Sequence, residues 1–212
     1  MPAIVDHVAR RRQVTRIAAR LIAQSGTAAT TIRAIAREAG CSTAIVSHYF
    51  RDKRELTLAT YRLAMEETIE LARRRRARGA DLATCLEAIM PLDRRRRDNW
   101  KVWFAFWGVA MADPEFMAEQ RLRGREARAL FAELIAAQAG LEDAALRETQ
   151  ARRLLVVVSG LATQATYDPA EWPPHRQREL IAAEVEALGL ARAPCAACGE
   201  PAIDGDRDCA AS

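Results

Sequence analysis

Between positions 42 and 49 the side chains that stand out are short, polar and closely spaced: Ser42, Thr43, Ala44, Ser47, His48 and Tyr49. Such a set suits the edges of base pairs. Thr43 and Ser47 can exchange hydrogen bonds with bases, and the Ala44 methyl can lie against a thymine methyl. Ser42 and Tyr49, with Thr31 ahead of them, suit phosphate oxygens, contacts that fix register without reading sequence. Arg33 has the length to reach a guanine, and Lys53 adds its charge to a helix N-terminus at a phosphate. Bond-making chemistry has less to work with. His7, His48 and His175 are the three histidines, and their spacing fits neither a metal nor a general base. No phosphate-binding loop, nucleophile elbow or dinucleotide fingerprint occurs, so no enzyme and no cofactor are expected.

Residues that read base edges need a helix held at a fixed angle. Residues 30–56 read as two short helices joined by a tight turn, followed by the start of a third, the layout of a helix-turn-helix. Thr31 and Ser42 are helix N-caps, and Asp52 with Glu55 three residues on makes a capping-box pattern. Gly40 occupies the turn, where a side chain is expected to clash with the packed helix pair. Ile45, Val46 and Phe50 are expected to hold the second helix on its partners.

The rest of the chain has helical periodicity, with no convincing alternating strand. A first helix over about 6–25 carries the apolar stripe Val14, Ile17, Ala18, Leu21 and Ile22, and Gly26 stops it. Later helices are expected over about 53–78, 81–90, 96–112, 114–139 (stopped by Gly140), 143–167 and 174–189. The fold class is therefore all-α, about nine helices. Residues 1–52 form the helix-turn-helix domain and 53–192 a second helical domain, with 53–78 as connector. Residues 193–212, rich in Gly, Pro, Asp and Ala, are expected to be disordered.

Charge is distributed to match. Residues 1–60 hold ten Lys and Arg against four Asp and Glu, a surplus of six on a chain whose net charge is +4. A phosphate-binding end needs that field. Arginine runs at 73–76 and 94–97 read as solvated helix ends. No apolar run approaches the ~20 residues that span a bilayer, and the start MPAIVDHVARRR lacks a signal-peptide core. A cytoplasmic location without membrane contact follows.

The run Thr-Ile-x-x-Ile-Ala-x-x-Ala-Gly from Thr31, then Ser42, His48-Tyr49-Phe50 and Lys53-x-x-Leu56, resembles the DNA-binding domain of the tetracycline-repressor (TetR) family of bacterial regulators. Members often carry glycine or proline where Ala44 stands and an aromatic where Ser47 stands. The segment CSTAIVSHYFRDK is similar to the BetI-type branch, in which serine at 47 is expected. Trp103-Phe104-Ala105-Phe106-Trp107 and Asp168-Pro169-x-x-Trp172-Pro173-Pro174 extend that likeness. The resemblance implies a repressor that binds double-stranded operator DNA as a homodimer, pairing its last two long helices, here about 143–167 and 174–189. A small-molecule effector would release it; the branch includes a repressor that responds to choline, a quaternary amine, and others with different effectors.

Trp100, Trp103, Phe104 and Trp107 fall on one helix face by spacing. Two readings stand: an effector pocket lined by these rings with Tyr167, or plain core in a regulator that senses no small molecule. Cys195-Ala-Ala-Cys198 with Cys209 resembles half a zinc ribbon, but three thiols fall short of the four ligands structural zinc needs, so no metal is expected.

Overall fold

A computed structural model describes residues 7–139 and 141–191. The expected tail at 193–212 with its Cys195, Cys198 and Cys209, and the stop at Gly140, lie outside the described residues. Within them every regular element is helical: α1 (His7–Ala29), α2 (Ile32–Glu38), α3 (Thr43–Tyr49), α4 (Lys53–Ala77), α5 (Leu82–Leu86), α6 (Arg94–Ala110), α7 (Pro114–Ala139), α8 (Ala144–Tyr167) and α9 (Pro174–Ala187).

Polar side chains set the starts. The Ala34 N–H donates to Thr31 Oγ1 at 3.1 Å, the Ile45 N–H to Ser42 Oγ at 3.3 Å and the Glu55 N–H to Asp52 Oδ1 at 2.7 Å. Each satisfies one of the four orphan donors of a helix start, worth about 1 kcal/mol. The box at α4 closes differently from expectation, since Glu55 Oε2 accepts from the N–H of Arg51, not Asp52. Asp93 caps α6, which therefore begins at Arg94 rather than near 96. The expected helix over 81–90 ends at Leu86. Met90 precedes a proline, which disfavours helical backbone. Leu86, Ala88, Met90 and Leu92 are all buried, an alternation that a helix cannot turn to one side.

Gly40 closes α2 with paired bonds: its N–H donates to Arg37 O at 3.2 Å, and the Cys41 N–H donates to Ala36 O at 3.0 Å. The steric reason expected for it is wrong. A Cβ there would meet nothing within 4 Å; glycine is required because φ is +60°. That conformation costs other residues roughly 1–2 kcal/mol. The stop expected at Gly26 is a break with φ 73°, after which a further turn runs to Ala29.

Two cores share two helices. Val14, Ile17 and Ala18 of α1 pack with Ile35, Ala36, Val46, Phe50, Leu56 and Ala59 in a small core under α2 and α3. Farther along, Ile22 and Ala23 of α1 and Leu58, Tyr61 and Ala64 of α4 enter a larger core with α5 to α9. The run at 156–158 lies in α8, helical as expected.

The arginine runs are not simply solvated. Arg73 pairs with Glu133 at 2.8 Å, Arg75 donates to Thr84 O at 2.6 Å and Arg96 donates to Glu87 O at 2.7 Å. They tie helix ends to neighbouring helices. A denser tie joins α4 to α7, where Glu119 accepts from Arg62 at 2.6 Å and from Arg123 at 2.8 Å. The Arg62 hydrogen bond, helped by that of Arg123, outweighs burial and holds the Glu119 carboxyl down at about 2. A depressed carboxylate stabilises the fold above its unfolded value and loses that contribution as pH falls toward 2. Glu119→Gln is expected to cost about 1.5–3 kcal/mol at neutral pH, the worth of hydrogen bonds to a charged group. It should also flatten the acid limb between about pH 4.5 and 2, read by urea denaturation across pH. An acid limb identical to that of the native protein would contradict the assignment.

Candidate nucleic-acid interface and cavity

α3 turns one side inward and the rest outward. Val46 and Phe50, four residues apart, enter the small core, while Ser42, Thr43, Ala44, Ser47 and His48 are exposed and Tyr49 is half-buried. Ile45, expected to pack inward, is 40% exposed. One residue from Val46 is about 100° around a helix, so Ile45 joins the outer face as an apolar surface suited to a thymine methyl. Its branched apolar type reads as core, and only the observed register reveals it. His7 is a second residue that sequence reading missed. The start of α1 brings it beside α3, with Tyr49 Oη and His7 Nδ1 at 3.4 Å and the His7 and His48 ring centroids 5.9 Å apart. No periodicity connects positions so far apart in sequence.

The caps serve two purposes. Thr31 and Ser42 use their hydroxyl oxygens to accept backbone N–H groups, which leaves each hydroxyl hydrogen to donate outward. Lys53, first residue of α4, donates from Nζ to Ala28 O at 3.2 Å, tying the start of α4 to the chain just beyond the Gly26 break. Arg33 and Arg37 stand exposed on α2 and make no ion pair among the described residues. Three helix N-termini and these cations share the end of the molecule built by the small core, an arrangement suited to phosphates.

The aromatic cluster encloses space. A cavity of about 230 Å³ lies among α4, α6, α7 and α8, lined by Tyr61, Met65, Trp100, Trp103, Trp107, Gln120, Leu155 and Ser159 among others. Of the five residues the sequence suggested, Trp100, Trp103 and Trp107 line it. Phe104 and Tyr167 stand outside, stacked on each other with centroids 5.5 Å apart, and Tyr167 is 73% exposed. Trp100 Nε1 donates to Ile89 O at 2.7 Å and Trp107 Nε1 donates to Gln120 Oε1 at 2.7 Å. The Tyr61 hydroxyl donates to the same Gln120 oxygen, and burial pushes its pKa up to about 12, so it stays neutral. Trp103 Nε1 is buried without an acceptor. Phe106 faces away and stacks on Tyr61 and Phe116.

A small helical domain with an exposed second helix of its helix-turn-helix, cations and side-chain-capped helix N-termini, joined through two helices to a larger helical body with a cavity, defines a helix-turn-helix DNA-binding regulator. Residues 14–60 match the family described as bacterial regulatory proteins, tetR family, and residues 78–190 match BetI-type transcriptional repressor, C-terminal. The chain belongs to the TetR family, with a C-terminal part of the BetI type. It is 33% identical over 166 residues to the HTH-type transcriptional regulator BetI of Paraburkholderia xenovorans, covering 76% of this chain and 84% of that one. It is 29% identical over 193 residues to the regulator PksA of Bacillus subtilis, covering 89% and 94%. A Saccharomonospora viridis transcriptional regulator crystallised in complex with choline shares the fold, with TM-score 0.69 and 24% identity over 84% of this chain and 96% of that one. The family and these relatives are transcriptional regulators rather than enzymes.

Proposed function

We propose that the protein is a homodimeric repressor released from a two-fold operator by a small molecule held in the Trp100–Trp103–Trp107 cavity. The observation that carries this reading is the path of α4. Its capped N-terminus begins at Lys53 and shares the small core with Val46 and Phe50, while its middle supplies Tyr61 and Met65 to the cavity. A ligand that favours one position of α4 thereby favours one position of the recognition helix, and operator affinity changes by the ligand's differential binding to the two states.

Dimerisation uses the outer faces of α8 and α9. Leu154, Val158, Leu161, Ile181 and Val185 on these two helices are buried within one subunit. Val156, Gly160 and Tyr167 on α8 and Leu180, Ala183 and Ala187 on α9 remain exposed in helical register. They offer an apolar, partly small-residue seam for the same seam of a second copy, as a C2 interface requires. The protein then works in the bacterial cytoplasm, on DNA. An open cavity among the aromatic rings supports the sensing regulator over one whose aromatic cluster is plain core.

Gel shifts against the intergenic DNA beside its own gene test the reading. Specific binding is expected, and its absence at moderate salt sinks it. Tyr49→Ala and Lys53→Ala should weaken binding to all sequences, and Lys53→Ala, which removes a charge, should also lower the salt slope by about 1. Thr43→Ala and Ser47→Ala should instead relax preference at single base pairs, by about 1–3 kcal/mol each. Equal losses across operator variants in both sets would contradict the division between phosphate and base contacts.

A further inference from the structure

Arg54 stands next to Lys53 in the first turn of α4, where a phosphate contact would be the ordinary use of a cation. Its guanidinium is engaged elsewhere. Nε donates to Glu115 Oε2 at 2.9 Å. Nη2 donates to Asp113 Oδ1 at 2.6 Å and lies 2.8 Å from Glu115 Oε2, and Nη1 donates to Asp113 Oδ2. The same group lies over the Phe116 ring, 4.7 Å from its centroid. Asp113 is committed in turn. Its Oδ1 accepts the N–H groups of Glu115 at 3.0 Å and Phe116 at 3.2 Å, so the residue that grips Arg54 also caps α7. The Arg54 hydrogen bonds hold the Asp113 carboxyl down at about 2, which keeps it charged wherever DNA binding is measured.

The place of this clamp in the fold gives it a consequence. Glu38 pairs with Arg20 of α1, and Glu55 pairs with Arg51 and with Arg11 of α1. Among the described residues, Arg54 is the only charged side chain of positions 30–56 that forms an ion pair with positions 78–190. Apolar packing of α4 on the body is non-directional, whereas a fork on two carboxylates fixes an angle. A two-fold operator needs both readers at one separation and tilt, since its half-sites lie about 34–36 Å apart. We propose that Arg54 is a positioning residue for operator binding: its pairing with Asp113 and Glu115 sets the angle of the helix-turn-helix on the body, and it makes no phosphate contact itself. The inference rests on the two-fold operator reading above.

Arg54→Gln weakens DNA binding whether Arg54 positions the reader or touches a phosphate. Asp113→Asn separates the two. It keeps an oxygen for the α7 cap, puts an amide N–H2 in place of the oxygen facing Arg54 Nη1, and removes a negative charge. A phosphate-binding Arg54, set free, would then hold DNA more tightly; a positioning Arg54 would hold it less well. In gel shifts with the intergenic DNA, each variant is expected to lose about fivefold or more in affinity, because both subunits of the dimer lose an exposed ion pair. Glu115→Gln spares the cap altogether and should show a smaller loss of the same sign, which keeps the test open where Asp113→Asn melts early. A second readout needs no DNA. Spin labels on non-natural residues replacing exposed Arg37 of α2 and exposed Arg125 of α7, in labelled chains diluted with unlabelled ones, report the spread of distances between reader and body. Asp113→Asn and Glu115→Gln should broaden it. Unchanged or tighter operator binding by either carboxylate variant, or an unbroadened distribution in both, overturns the proposal. A native protein that holds no DNA specifically removes the repressor reading, and the distance distributions still decide whether Arg54 sets the angle.

Discussion

Phe50→Ala is expected to unfold the DNA-reading end of the protein while leaving the larger body folded. Phe50 is 1% exposed, at the C-cap of α3, and with Val46 it anchors the recognition helix. The core it joins has nine buried members, and Arg11 lies over its ring at 4.7 Å. Truncating a buried phenylalanine costs about 3–5 kcal/mol, a large share of the roughly 5–15 kcal/mol that holds a whole domain. α2 and α3 have seven residues each, too short to persist without packing. α1 and α4 keep their other ends in the larger core. Specific DNA binding should vanish. Hydrogen-exchange protection should collapse across 32–50 and persist across α6 to α8, with the main thermal transition little changed. Phe50→Leu should retain most of both. Retained protection in α2 and α3 of the alanine variant would show that the small core does not position the reader.

What could be read without coordinates follows a physical boundary. Caps are local: Thr31, Ser42 and Asp52 bond to groups three residues away, and each was legible. Asp93 was missed because the arginines after it have no periodicity to announce a helix. The reader's polar face was legible, since its residues lie together in sequence, but Ile45 and His7 depend on register and on long-range placement. The cavity shows the limit more sharply. Spacing put Trp100, Trp103, Phe104 and Trp107 on one stripe, but such a stripe is wide. Which rings meet the cavity is decided by α4, α7 and α8, whose Tyr61, Met65, Gln120 and Ser159 look in sequence like ordinary helix positions. Phe104 falls at the outer edge, against Tyr167.

The same distinction between local and long-range order singles out Glu67, an unremarked acid in the middle of α4 on which three arginines converge. Arg16 donates to Glu67 Oε1 at 2.8 Å, Arg12 stands 3.6 Å away, and Arg95 donates to Oε2 at 3.0 Å. The first two belong to α1 and the third to α6, so one carboxylate joins the DNA-side helix to the helix that carries the tryptophans. It borders an open groove of about 800 Å³ and is itself 12% exposed. Burial alone would raise its pKa, but the hydrogen bonds from Arg16 and Arg95 overcome that and hold it below the usual carboxylate range. Its contribution is therefore present at neutral pH and lost as pH falls below that range. Glu67→Lys puts a fourth cation among three. Breaking a buried pair costs about 3–5 kcal/mol. These arginines are 45%, 56% and 74% exposed, so solvent screening should hold the loss to about 2–3 kcal/mol. Urea denaturation measures it, and Arg16→Glu added to Glu67→Lys should recover at least half by restoring an opposite charge across the same gap. The small core still holds α3 on α1 and α4, so operator binding should survive. The ionic part of the tie from α6 to α1 does not, so a compound that releases the native protein from DNA should bind the variant with unchanged affinity and release it less well. A variant that loses stability, regains none with Arg16→Glu and still responds fully to that compound would show that Glu67 is a surface charge and that the signal runs through α4 alone.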